Sequence, residues 1–308
     1  MASADTAKTS GRPPGTKLGL ESNGAIAALI ILITLIFTGI RLLPGDPASP
    51  SEAIQTEARE PDVVATETPN ESTPPERPSG GMTAEMDDGI RRILVENAHF
   101  RIGVALGDVR SGEVRLYGDV SPYLAASTAK VLTAVAYYHF VETGELGLDE
   151  PLGNFTAAFH LKAMINSSKN DSWLLLMQVI GFPRLTEYAA GIGVNYDPTR
   201  NLLTPMEMAI LLMKLYSGDL ISAEHAAELL GYMQQTNYEE LIPPAVPAGV
   251  SVYHKYGIVY GYMHDVAVLA SRDAAYSLVI YTDDPYGRQG RIDVIQQLTR
   301  EICLSLFK

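Results

Sequence analysis

The chain is poor in cysteine and short of cations. A single thiol, Cys303, excludes an internal disulfide and a cysteine-based metal cluster. The six histidines, His99, His139, His160, His225, His254 and His264, show no paired ligand spacing, so no zinc hydrolase and no metal or other cofactor is expected. Lysine and arginine number 23 against 36 aspartate and glutamate, a formal net charge of −13. A chain this acidic repels polyanions, which argues against a nucleic-acid partner. No internal repeat is visible. What the 308 residues do have is apolar material, 46% of the total, enough for a real core.

That material is unevenly distributed. No charged residue occurs from Ser22 to Ile40, and Ile26 to Phe37 is almost wholly apolar. Nineteen uncharged residues, at ~1.5 Å each, span about 28 Å as a helix, close to the hydrocarbon core of a bilayer. No Ala-x-Ala-like cleavage site follows in Leu42-Leu43-Pro44-Gly45-Asp46-Pro47, and no cysteine that could carry a lipid. The reading is an uncleaved transmembrane helix over 22–43. Lys8, Arg12 and Lys17 precede it, whereas Arg41 is followed by no basic residue until Arg59, so residues 1–21 are expected in the cytoplasm. The expected location is the cell membrane, single-pass, with everything after Arg41 outside.

Residues 44–81 carry eight prolines and eight acidic residues against two arginines, with no apolar periodicity. Such a segment cannot bury enough surface to offset its ordering entropy and reads as a disordered, semi-extended stalk. Residues 82–308 read as one folded unit. Met82, Met86, Ile90, Ile93 and Leu94 recur at helical spacing, predicting a helix over 83–97. Two strands follow, 100–106 and 113–117, about a Ser111-Gly112 turn. Helical patterns cover 128–142, 171–180, 184–191, 205–216 and 222–235. Strands are expected at 250–258, 263–271 and 275–282, and a closing helix at 287–306. The order predicts an α+β domain: a mainly antiparallel five-stranded sheet flanked by N- and C-terminal helices, with a helical subdomain inserted.

Three short patterns could carry chemistry. Ser127-Thr128-Ala129-Lys130 opens a predicted helix, and position i+3 lies over i, so Lys130 shares a face with Ser127. A lysine whose pKa is lowered by burial can take a serine hydroxyl proton. Alone the tetrapeptide is better read as a capping serine followed by a solvated lysine. Ser168-Lys169-Asn170 precedes the helix containing Trp173, and Lys255-Tyr256-Gly257 lies towards the end of the first late strand. Their succession in order, at a helix start, a helical-domain loop and a strand end, is far more specific than any one of them.

Together they resemble the motif set of class A β-lactamases and penicillin-binding D,D-peptidases. The resemblance covers 82–308 and extends to His254-Lys255-Tyr256-Gly257, Gly261, the run His264 to Val268, and Leu203-Thr204-Pro205-Met206-Glu207-Met208-Ala209. It implies a β-lactamase/transpeptidase-like fold and a serine acyl-hydrolase without cofactor. By that resemblance Ser127 would attack an amide carbonyl with Lys130 as its base. Ser168 would pass a proton to the leaving nitrogen, and Asn170 would hold the substrate amide. Lys255 would supply positive charge for a substrate carboxylate, and Gly257 would leave room for an extended substrate. The N–H groups of Ser127 and Ile258 would form an oxyanion hole.

The chain departs from that pattern at three points. Tyr256 stands where the family has Thr or Ser, and Lys169 where class A enzymes commonly have Asp. The family's Ω loop is short here, Gly191 to Asn201, and holds no glutamate to activate a deacylating water. Asp197 is its only carboxylate, and the Asp-Pro turn explains that residue at least as well. The expectation is acylation by a β-lactam or related amide with slow deacylation. The alternatives are a D,D-peptidase acting on peptidoglycan stem peptides and a non-catalytic β-lactam- or muropeptide-binding sensor. His264-Asp265 reads as a strand-end packing feature rather than part of a Ser-His-Asp triad.

Overall fold

The computed structural model describes residues 81–307, Pro285 and Gln289 excepted. The expected membrane helix over 22–43, and the stalk apart from Gly81, lie outside the described residues. Among the described residues no helix is long and apolar enough to cross a membrane.

Five strands make one antiparallel sheet, β1 (Arg101–Asp108), β2 (Val114–Gly118), β7 (Ser251–Val259), β8 (Tyr262–Ala270) and β9 (Ala275–Asp283), in the order β2-β1-β9-β8-β7. Short connections bring consecutive strands alongside each other, as in Gly257↔His264 of β7 and β8 and Val266↔Val279 of β8 and β9. The three inner strands are buried on both faces, and β7 is an edge with Ser251 and Ile258 exposed. An open edge strand can take an added extended chain.

Helices α1 (Ala84–Glu96) and α8 (Arg291–Leu306) cover one face of the sheet. Met86 and Ile90 of α1 meet Val294, Ile295, Leu298 and Ile302 of α8 there, over Val104, Leu278 and Ile280. Thr83 caps α1 by accepting from Met86 N, and the acidic first turn suits the helix dipole. The other face carries the helical subdomain. Its centre is α2 (Lys130–Glu142), which is apolar almost all round and buried almost all round, as a helix enclosed by others must be. Around it lie α3 (Ala157–Asn166), α4 (Asn170–Ile180), α5 (Phe182–Gly191), α6 (Pro205–Ser217) and α7 (Ala223–Tyr232). Two-residue ribbons complete the chain: β3 (Tyr123–Leu124) pairs with β6 (Leu202–Leu203), and β4 (Pro151–Leu152) with β5 (Phe155–Thr156).

Every expected element of the folded unit is present, with ends shifted by a few residues. Two corrections bear on the site. Ser127 does not open the α-helix directly but sits in a 3-10 turn, Ala126–Ala129, ahead of it. Helix α3 was not expected, although Ala157, His160, Leu161, Met164 and Ile165 follow a helical stripe after Thr156, which caps it.

Candidate active site

Ser127 is held by its backbone. The preceding Ala126 has φ +51, a conformation costly for any residue with a Cβ. Three contacts maintain it: Ala125 N donates to Asn201 O (2.8 Å), Asn201 Nδ2 donates to Ala126 O (3.0 Å), and Thr128 Oγ1 donates to Ala125 O (2.7 Å). Asn201 is set in turn by Tyr196, whose hydroxyl donates to Asn201 Oδ1 (3.0 Å). On the other side lies β7. A Cβ on Gly257 would stand 3.0 Å from Ser127 N and 3.1 Å from Ala125 O, so glycine is what lets the strand close on the turn. From below, neutral His264 donates through Nε2 to Leu124 O (2.9 Å) and accepts from Thr282 N through Nδ1 (3.1 Å). Full burial pushes His264 down to about 4, against smaller opposing contributions from its backbone hydrogen bonds.

Two lysines converge on one serine. The Lys130 backbone N–H donates to Ser127 O within the turn. Its side chain, 0% exposed, runs to the loop before α4. There Nζ donates to Ser168 O (2.7 Å) and Asn170 Oδ1 (2.8 Å) and lies 3.2 Å from Ser168 Oγ. Lys255, also 0% exposed, donates from Nζ to Ser168 Oγ (2.9 Å) and Tyr256 O (2.9 Å). Ser168 itself has φ +54, a second strained residue at the same place. Among the described residues neither lysine forms an ion pair with a carboxylate.

The electrostatic consequence follows directly. Burial pushes Lys130 well below the usual lysine value, and the charge of Lys255 pushes it further. Burial also brings Lys255 down to about 7, against partial support from Asp265. A neutral Lys130 keeps two N–H donors, which match its two shortest bonds, and has a lone pair left to accept a proton. The Ser127 hydroxyl makes no hydrogen bond among the described residues, to Lys130 Nζ or to any other group.

The remaining expected residues fall as follows. Asn170, Gly257 and Ile258 lie around Ser127 and Ser168, with Ile258 exposed on the strand edge. Tyr256 folds its ring over Lys255, whose Nζ lies 4.0 Å from the ring centroid, and its hydroxyl donates to Asn237 Oδ1 (2.8 Å). Asp197 is turned into its own loop: Oδ1 accepts from Thr199 N (3.0 Å), Thr199 Oγ1 (2.7 Å) and Arg200 N (3.2 Å), an Asx turn. Asp265 pairs not with His264 but with His254 across the strands (Nδ1 to Oδ1, 3.0 Å). Among the described residues no group of His, Cys, Asp and Glu could hold a metal ion. Asn201 and Asn237 were not legible beforehand, since nothing in Thr199-Arg200-Asn201 or Thr236-Asn237-Tyr238 marks them.

Comparison with known proteins agrees with this geometry. The profile described as "Beta-lactamase enzyme family" matches residues 153–305, which include Ser168, Asn170 and Lys255. β-Lactamase OXY-2 of Klebsiella oxytoca is 26% identical over 247 residues, 67% of this chain and 85% of that one. Both matches make the chain similar to the β-lactamase superfamily. It is a β-lactamase-like serine hydrolase. Solved structures agree on the fold. A β-lactamase from Desulfarculus baarsii is 25% identical with a TM-score of 0.65, covering 74% of this chain and 100% of that one. A PBP-A mutant, solved as an acyl-enzyme complex with penicillin G, is 20% identical with a TM-score of 0.67, covering 74% and 98%.

Proposed function

We propose that this β-lactamase-like hydrolase forms a covalent acyl-enzyme at Ser127 with a β-lactam or related amide and releases the acyl group slowly. The observation that carries the reading is the pair of buried lysines on Ser168 without a carboxylate counter-ion. It supports a neutral Lys130 at physiological pH. Lys130 Nζ takes the Ser127 proton as Oγ attacks the carbonyl carbon. The oxyanion formed meets the N–H groups of Ser127 and Ile258, a reading supported by the close approach of Gly257, the residue before Ile258, to Ser127 N. On collapse the C–N bond breaks. The proton passes from Lys130 to Ser168 Oγ and from Ser168 to the leaving nitrogen, with Lys255 holding Ser168 in line. Asn170, oriented by Lys130, is free to donate through Nδ2 to the substrate amide.

Slow release follows from what surrounds the ester. Among the described residues no carboxylate hydrogen-bonds to Ser127, Lys130 or Ser168, and the Asp197 oxygen nearest its loop backbone is already committed. Water attack on the acyl-enzyme therefore has no carboxylate base bonded to these residues to assist it. The test is a time course of labelling by a fluorescent penicillin, with Ser127→Ala as control. Label that needs Ser127 and persists for hours is expected. Label that clears within minutes means efficient turnover and contradicts slow release. A D,D-peptidase would show the persistent label together with cleavage of a D-Ala-D-Ala peptide. A binding sensor would retain penicillin without a covalent bond.

The anchored location is part of the same proposal, supported by the uncharged run Ser22–Ile40 and the acidic, proline-rich segment after it. The full chain should stay in the membrane pellet through an alkaline carbonate wash, and deletion of 22–43 should release it. Release of the intact chain by the wash would contradict the anchor.

A further inference from the structure

The Lys255 ammonium is already occupied by its own neighbours. In the proposed reaction Ser168 protonates the leaving nitrogen, so the leaving side of a substrate lies towards Ser168 and the neighbours of that serine, Lys255 and Tyr256. A carboxylate at that end would look to Lys255 for a partner and find none available. An ammonium has three N–H donors. One goes to Ser168 Oγ, one to Tyr256 O, and the phenol ring covers the remaining approach at 4.0 Å from Nζ. The Tyr256 hydroxyl proton is committed to Asn237 Oδ1 at 2.8 Å.

Asn237 is itself fixed. Its N–H donates to Asn166 O (3.2 Å), and Asn166 Nδ2 returns donors to Tyr232 O, Gln234 O and Gln235 O. The next ring, Tyr238, tilts against Tyr256 with centroids 5.1 Å apart. What this end presents to a substrate is the Asn237 Nδ2 amide and the lone pairs of a phenol, both uncharged.

We propose that Tyr256 and Asn237 form a specificity gate that favours acyl donors whose end beyond the scissile nitrogen is an ester, amide or hydroxyl, and disfavours those ending in a carboxylate. A carboxylate entering there would give up hydrogen bonds to water and find no N–H of Lys255 left to accept from. An ester carbonyl loses little and can accept from Asn237 Nδ2. The inference rests on acylation of Ser127 and narrows the substrate class for that reaction.

A matched pair tests it: penicillin G and its methyl ester. Ser127 acylation of the full-length chain is followed by intact-protein mass, and each rate is divided by the reagent's own hydrolysis rate in the same buffer. The ester should acylate roughly tenfold faster at subsaturating concentration, the order expected for a charged group left without a partner. Asn237→Ala, on an exposed loop, frees the phenol to donate to a carboxylate and should bring the two reagents to within about twofold. Tyr256→Thr, which uncovers Lys255, should reverse the preference. Equal or faster acylation by the free acid in the unmodified protein overturns the gate alone. A preference unchanged in both variants overturns the assignment to Tyr256 and Asn237. Failure of both reagents to label Ser127 overturns the acyl-enzyme reading and the gate with it.

Discussion

His254 and Lys255 are neighbours in β7 with opposite fates. Burial alone would lower His254, but the charges and hydrogen bonds of Asp265 and Glu239 prevail and raise it to about 9. Lys255 has no carboxylate hydrogen-bonded to it and falls to about 7. The two therefore move stability in opposite directions with pH. A His raised above its unfolded value contributes stability that is complete below pH 6.5 and lost as pH rises through 9. A lysine lowered to about 7 costs the folded state most below that pH, and the cost fades towards 10.5. Because the unmodified protein sums both, the comparison with His254→Gln isolates the histidine. The variant should lose about 3 kcal/mol below pH 6.5, since each tenfold change in a protonation equilibrium is worth ~1.4 kcal/mol. That gap should narrow steeply by about pH 9.5. Urea unfolding at a series of pH values measures it, and a gap independent of pH would contradict the buried ion pair.

Among the elements, those with long periodic patterns were legible and those defined by tertiary contact were not. Helices α1, α2, α6 and α8 and the five sheet strands follow from apolar spacing and caps such as Thr204, which makes a reciprocal box with Glu207. Helix α3 carries the same stripe, but one of its positions is the polar His160. That histidine turns out to be a core residue satisfied by Ser172 Oγ (2.9 Å) and Leu152 O (2.8 Å). The ribbon of β3 and β6 is two residues long and has no pattern to detect, yet it brings Asn201 to the turn before Ser127. The 3-10 turn is likewise set from outside, by Asn201, Gly257 and His264 rather than by its own sequence.

At the scale of the molecule, the proposed active site is a seam. The sheet supplies Lys255, Gly257 and Ile258, the helical subdomain supplies Ser168 and Asn170, and Ser127 and Lys130 sit where the two meet. Motif order alone disclosed those residue types and their grouping. What it did not disclose was burial, and burial decides the chemistry, because a solvated Lys130 would be an ammonium and no base. Nor could it disclose Asn237, which reaches Tyr256 only through a loop pinned by Asn166, Thr236 and His254 (Thr236 Oγ1 to His254 Nε2, 3.2 Å).

The central claim, that neutral Lys130 activates Ser127, is tested most directly by the pH dependence of the acylation rate, measured by intact mass with penicillin G methyl ester. Burial and the neighbouring Lys255 charge set the expectation: the rate reaches half its maximum well below pH 10.5, and Lys130→Arg, whose guanidinium stays protonated, abolishes it. A rate still climbing through an inflection near 10.5, or one that survives in Lys130→Arg, would contradict it.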